Sequence, residues 1–174
     1  MWAPLFWEDH VSHAIFFDGQ DGTPLVREAL TAPLHDSEAA IPDQAKASDT
    51  RMATARHRID YLPGTRQASH VSLDLVPLEG PIRTIELEPT LVFRMKGLGY
   101  QHPEWGQGRW KGELALGGES FDPVQLDPLA LENLHTQQIV RASDGEREGV
   151  GVFEQIVVGP YAPAGFSEFL DGAR

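Results

Sequence analysis

Residues 51–96 read RMATARHRIDYLPGTRQASHVSLDLVPLEGPIRTIELEPTLVFRMK, and this stretch decides the fold. Val71, Leu73 and Leu75 alternate with Ser72 and Asp74, the period of a strand with one face buried. Ile85 and Leu87 alternate in the same way with Thr84, Glu86 and Glu88. The turns LPGT (62–65) and EGP (79–81) separate the runs, and Pro89 is expected to break or bend the chain before TLVFRMK (90–96), where Leu91, Phe93 and Met95 face one way. Consecutive strands joined by short turns predict an antiparallel meander.

Downstream lies GLGYQHPEWGQGRWKGELALGG (97–118), dense in glycine and carrying two tryptophans. It reads as the hinge where the sheet turns a corner, with a strand over 109–116. Asp127 and Pro128 suit the cap and first position of a short helical turn. HTQQIVRA (135–142), SDGE (143–146) and REGVGVFEQIVV (147–158) then form a hairpin. Its second strand is apolar on both faces, which predicts a central position, with a core on each side or wrapped in a barrel. Upstream, LFWEDHVSHAIFF (5–17) reads as one strand, followed by the turn DGQDG (18–22) and a partner strand over 24–32. Residues 33–50, acidic and without a period, read as an exposed loop. The sum is an all-β, lipocalin-like antiparallel barrel or sandwich of about eight to ten strands, with short terminal helical turns.

Composition narrows the class. The 174 residues suit one domain with a real core, and 41% are hydrophobic, well above the disordered range. A formal charge of −12 argues against nucleic acid and anionic membrane surfaces. The absence of cysteine removes disulfides and thiolate chemistry, and fits a cytoplasmic setting. No apolar run approaches membrane-spanning length. No phosphate loop, nucleophile elbow, dinucleotide fingerprint or metal-ligand spacing is present, so neither cofactor nor metal is expected.

Taken together, GYQHPEWGQGRWKGEL (99–114), LHTQQIVRASDGEREGVGVFEQIVVGPYAPAGF (134–166), FWEDH (6–10) and TIELEP (84–89) resemble the C-terminal part of uncharacterised bacterial proteins related to the AttH-like, carotenoid 1,2-hydratase (hydroxyneurosporene synthase) group. The resemblance implies a lipocalin-like domain, 1–174, that forms the C-terminal half of a two-domain architecture. It also implies a ligand of isoprenoid or polyene type, and in enzymatic relatives hydration or cyclisation of such ligands. Longer relatives carry an Arg-Asp-His-Ser-Trp-Gly type motif upstream, which this sequence lacks.

The functional expectation is therefore a bound hydrophobic small molecule. Trp105 and Trp110, set among glycines, are expected on the cavity wall, with Tyr100, His13, Trp7 and Phe153 completing it. An acid-catalysed hydratase or cyclase would draw its proton from Glu154, His102 or Glu104. The plain alternative makes Lys111 and Glu113 a solvated pair, Glu154 a partner of Arg141, and His13 a donor to a backbone carbonyl. A third role is structural: completing a partner, either a homologous N-terminal domain or a second copy.

Overall fold

The structure, a computed structural model, describes residues 1–34, 50–96 and 100–174. Eight strands close into one antiparallel barrel in simple sequence order: β1 (Trp2–Phe6), β2 (His10–Asp18), β3 (Pro24–Pro33), β4 (Thr50–Tyr61), β5 (Ala68–Pro77), β6 (Arg83–Arg94), β7 (Thr136–Ser143) and β8 (Glu148–Gln155). Each strand pairs with the next, and β8 pairs with β1, so no outer edge is left over. The other regular elements among the described residues are three short 3-10 turns, Pro123–Gln125, Leu131–Asn133 and Ala162–Ala164.

Strand alternation builds the core as the meander predicts. Val71, Leu73 and Leu75 of β5 lie opposite Leu87, Ile85 and Arg83 of β6, and the five apolar side chains are almost fully buried. Phe16 from β2 and Phe153 from β8 join them, so the axis of the barrel is filled with side chains. At the β8–β1 seam the inward positions shrink to glycine. A Cβ on Gly151 would stand 2.3 Å from the Pro4 carbonyl oxygen, so only glycine lets these two strands meet. Gln138 and Gln155, both fully buried, clasp one residue of β5: Ala68 donates its N–H to Gln155 Oε1 (3.0 Å) and its carbonyl accepts from Gln138 Nε2 (2.8 Å).

Two expectations change and two open alternatives are decided. Residues 5–17 are not one strand: the chain reverses at Trp7–Asp9, where Trp7 donates its backbone N–H to the His10 carbonyl (2.9 Å). Pro89 bends its strand rather than breaking it. β6 runs through it with a register shift between Pro89 and Leu91, because a residue without an N–H cannot hold the ladder. The shift reverses the alternation, so Leu91 and Phe93 point outward, 64% and 57% exposed. β8 is covered on one side only: Phe153 is buried, whereas Val150 is 59% exposed. The glycine-rich stretch is a long excursion between two paired neighbours, β6 and β7, rather than a corner, and its described part contains no strand over 109–116. Most of the expected loop over 33–50 and the start of the glycine stretch, 97–99, lie outside the described residues.

Candidate functional site

Among the described residues, β3 and β4 are joined by two residue pairs, Leu30 with Arg51 and Thr31 with Thr50. Beyond them the ladder lapses, towards the barrel end that carries the N-terminus and the C-terminal segment. Arg27 of β3 and His57 of β4 both point inward on this stretch, as their registers with Phe16 and Leu73 require. Asp18, at the end of β2 just after a register shift, stands between them.

Asp18 is the hub of the cluster. One carboxylate oxygen accepts from His57 Nε2 (2.7 Å) and from the Tyr161 hydroxyl (2.8 Å), and the other pairs with the Arg27 guanidinium. Arg27 also donates to the carbonyls of Val26 and Phe17. The side chains of Asp18 and His57 are only 5% and 8% exposed. The carboxylate fixes the proton on Nε2, which leaves Nδ1 as the lone-pair nitrogen of His57. Phe16 meets the imidazole edge to face, with ring centroids 5.0 Å apart, and Arg27 sits over the same phenyl ring.

Burial opposes ionisation of Asp18, but the hydrogen bonds from Tyr161, Arg27 and His57 outweigh it and hold the carboxyl below its ordinary range. Burial lowers the His57 pKa despite the carboxylate beside it, so the ring is neutral at pH 7. Tyr161 is pushed well above the usual phenol value by burial and by its bond to Asp18. Nearby, burial raises Tyr61 to about 12.

Two clefts open on this cluster. One, of about 280 Å³, is walled by Met1, Phe16, Asp18, Ile156 and Tyr161. The other, of about 140 Å³, is walled by His57, Ile59, Tyr61, Tyr161 and Pro163. Tyr161 belongs to both walls. It is held there by the C-terminal segment, which is tied across the barrel end. The buried Arg66 pairs with Asp171 and donates to the carbonyls of Val157, Gly159 and Glu168. Ala162 donates to the Gln20 carbonyl of the β2–β3 turn (2.8 Å), and a Cβ on Gly22 in that turn would strike Pro163.

The residues singled out from the sequence lie elsewhere and do not form one site, although His102, Glu104 and Trp105 meet in one turn. Phe153 is a core side chain. Trp7 plugs the opposite barrel end, donating to Ser12 Oγ (3.1 Å), stacked on His10 and capped by Arg83. His13 faces outward and accepts from the Trp2 indole rather than bonding a carbonyl. Glu154 also faces outward and bonds His135 Nε2 and Gln137 Nε2 (3.1 Å each), while Arg141 pairs with Glu88. His102 Nδ1 accepts from the backbone of Glu104 and Trp105, which makes it a turn-former. Glu104 pairs with Lys111 (2.9 Å), whose ammonium lies over Trp105. Trp105 packs on Gly117, and Trp110 is 83% exposed. Tyr100 packs edge to face on His135 and so links the excursion to Glu154. Among the described residues no group of three or more His, Cys, Asp or Glu is placed to hold a metal ion, and no helix is long and apolar enough to cross a membrane.

A protein-family model described as a family of unknown function, DUF8625, matches residues 1–167. The chain belongs to that family. No curated protein and no solved structure matches it. The match reaches from β1 to Ser167, and so includes all four residues of the Asp18 cluster within the family's extent.

His57 was within reach of the sequence. It shares a strand face with Ala55 and Ile59, opposite Arg56, Arg58 and Asp60, and a histidine on an apolar face needs a partner. Asp18 and Tyr161 carry no such signal, since one sits in a run of turn residues and the other in the tail.

Proposed function

We propose that this barrel binds a small, largely apolar molecule with a polar end, at the mouth crossed by the C-terminal segment. The observation that carries the reading is the Asp18–Arg27–His57–Tyr161 cluster, nearly buried between two clefts where the β3–β4 ladder lapses. A barrel end that only had to be sealed would be sealed as well by apolar side chains, because a buried ion pair contributes little net stability. Phe16, Ile156 and Met1 supply apolar wall, and the Asp18 oxygens are already occupied. The groups left to meet a ligand are the Tyr161 oxygen, which can still accept, and Nδ1 of His57. An isoprenoid or polyene bearing a hydroxyl fits this chemistry, in keeping with the resemblance to the carotenoid hydratase group. Its polar end would enter the mouth, and its apolar body would lie along the wall outside the packed axis.

The test is a titration of the protein with retinol, a terpene alcohol and a fatty acid, repeated with Tyr161→Phe and His57→Gln. Saturable binding that weakens about tenfold or more in both variants is expected, the loss of one hydrogen-bonding group in an apolar site. No binding by any of the three, or equal binding by the variants, would refute the reading.

The hydratase or cyclase alternative draws less support. Protonating an alkene needs an acid, whereas His57 is neutral at pH 7 and Tyr161 is a weaker acid than a free phenol. Glu154, His102 and Glu104 do not share a cleft with either.

A further inference from the structure

The outer wall of the barrel is divided. On β4, β5 and the first half of β6 it is polar: Arg56, Asp74 and Thr84 lie side by side, as do Arg58, Ser72 and Glu86. From the second half of β6 through β7, β8 and β1 it is apolar. Leu91 lies beside Ile139, Phe6 beside Val150, and Phe93 and Trp2 occupy the same end of the face. These six side chains are between 37% and 64% exposed. Soluble monomers rarely present a contiguous apolar patch beyond a few hundred Å². The bulge after Pro89 makes the patch, because an unbroken alternation would carry Leu91 and Phe93 inside.

The excursion between β6 and β7 is a second apolar surface that no described residue covers. Trp110, Leu114, Leu116 and Val124 are 76–85% exposed on it. Its root adjoins the patch, since Tyr100 packs on His135 and His135 bonds Glu154 on the same outer face.

We infer that the patch and this arm are the two halves of an interface with a second copy of the chain, each arm lying on the other copy's patch. Size decides that the arm takes part. Strands about 4.8 Å apart give the patch a plan area of roughly 400 Å², whereas a stable interface needs about 800 Å² from each partner. Face on face alone falls short, and four large exposed side chains of the arm supply the difference. Charge decides the partner. At −12 overall, the chain attracts a basic partner through its whole surface rather than through an apolar face, and repels an anionic membrane. On the patch Arg141 is neutralised by Glu88 and the Glu154 carboxylate is held by hydrogen bonds from His135 and Gln137, so little of the chain's negative charge lies there and a like-charged copy can approach. Exchange of arms about a two-fold axis closes the assembly at two.

The chain has no cysteine, so single-cysteine variants report cleanly. Leu116→Cys on the arm and Val150→Cys on the patch, mixed and oxidised, are expected to give a disulfide between the two different variants. Sedimentation of the wild-type protein is expected to show a dimer. Val150→Glu, an outward change that leaves the barrel signature in circular dichroism intact, is expected to weaken it at least tenfold. A monomeric wild type, a dimer indifferent to Val150→Glu, or a crosslink of Leu116→Cys/Val150→Cys that forms only within one chain would overturn the inference.

Discussion

Asp18→Asn tests the cluster most directly, because it keeps the shape of the side chain and removes its charge. Three donors now converge on two carboxylate oxygens. An asparagine offers one acceptor oxygen and turns an NH2 towards either Arg27 or the His57–Tyr161 pair. Water from the adjoining clefts replaces the lost acceptor only in part, since the Arg27 side chain is only 14% exposed. Removing one partner of a buried ion pair costs about 3–5 kcal/mol. Arg27 keeps its bonds to the carbonyls of Val26 and Phe17, which places this case at the lower end, about 3 kcal/mol. For a domain of this size each kcal/mol moves Tm by about 2–4 °C, so a fall of about 6–12 °C is expected. Tyr161→Phe removes a single hydrogen bond and should cost about 1 kcal/mol. Urea unfolding with an unchanged m value measures both. If Asp18→Asn costs no more than Tyr161→Phe, the carboxylate is not what holds the cluster together and the reasoning fails.

The pH dependence of stability has a stated sign. Burial holds the His57 pKa below its ordinary value, so in acid the unfolded chain takes up a proton that the folded one refuses. Stability should therefore fall as pH drops below about 6.5. His13, lowered chiefly by burial, adds to this step in the same direction. A second loss follows below about pH 4, where the Asp18 carboxyl, held low in the folded state, is finally protonated. His57→Gln should reduce the first step, and urea midpoints between pH 7.5 and 5 that fall as steeply in the variant would show that His57 is not its source. At the seam, Gly151→Ala must push β1 away from β8, because the Pro4 carbonyl oxygen would stand 2.3 Å from the new methyl. A cost of about 3 kcal/mol, the upper end for overpacking, is expected by calorimetry. A loss under about 0.5 kcal/mol, the level of an ordinary surface change, would mean that the seam has slack.

The barrel was legible where alternation was unbroken. Val71 to Leu75 and Ile85 to Leu87 show their buried face in the sequence alone, and the turns between them fix the order of the strands. Closure was not legible, because it depends on glycines 149 and 151 meeting β1 across the whole length of the chain. In the sequence, those two glycines merely dilute an apolar run. The reversal at Trp7–Asp9 was hidden for a related reason. WED contains neither glycine nor proline, and the turn is held by a backbone bond and by Trp7 folding inward over Arg83.

Backbone pairing, rather than side-chain pattern, decides which face Leu91 and Phe93 take. They share one face, as the sequence predicts, yet they continue the odd-numbered series of Ile85 and Leu87 in number only. A proline that cannot donate to the ladder inserts one residue, and the series changes face. The same lack of local signal hides Asp18 and Tyr161. They meet across 143 residues because Arg66 and the β2–β3 turn fix the tail over the barrel end. Tryptophan among glycines drew attention to Trp105 and Trp110 because such sequences permit close approach. Close approach is what Trp105 makes, but to Gly117 of its own arm. Trp110 is left with nothing described against it, and so belongs to the question of what the arm covers rather than to the cluster around Asp18.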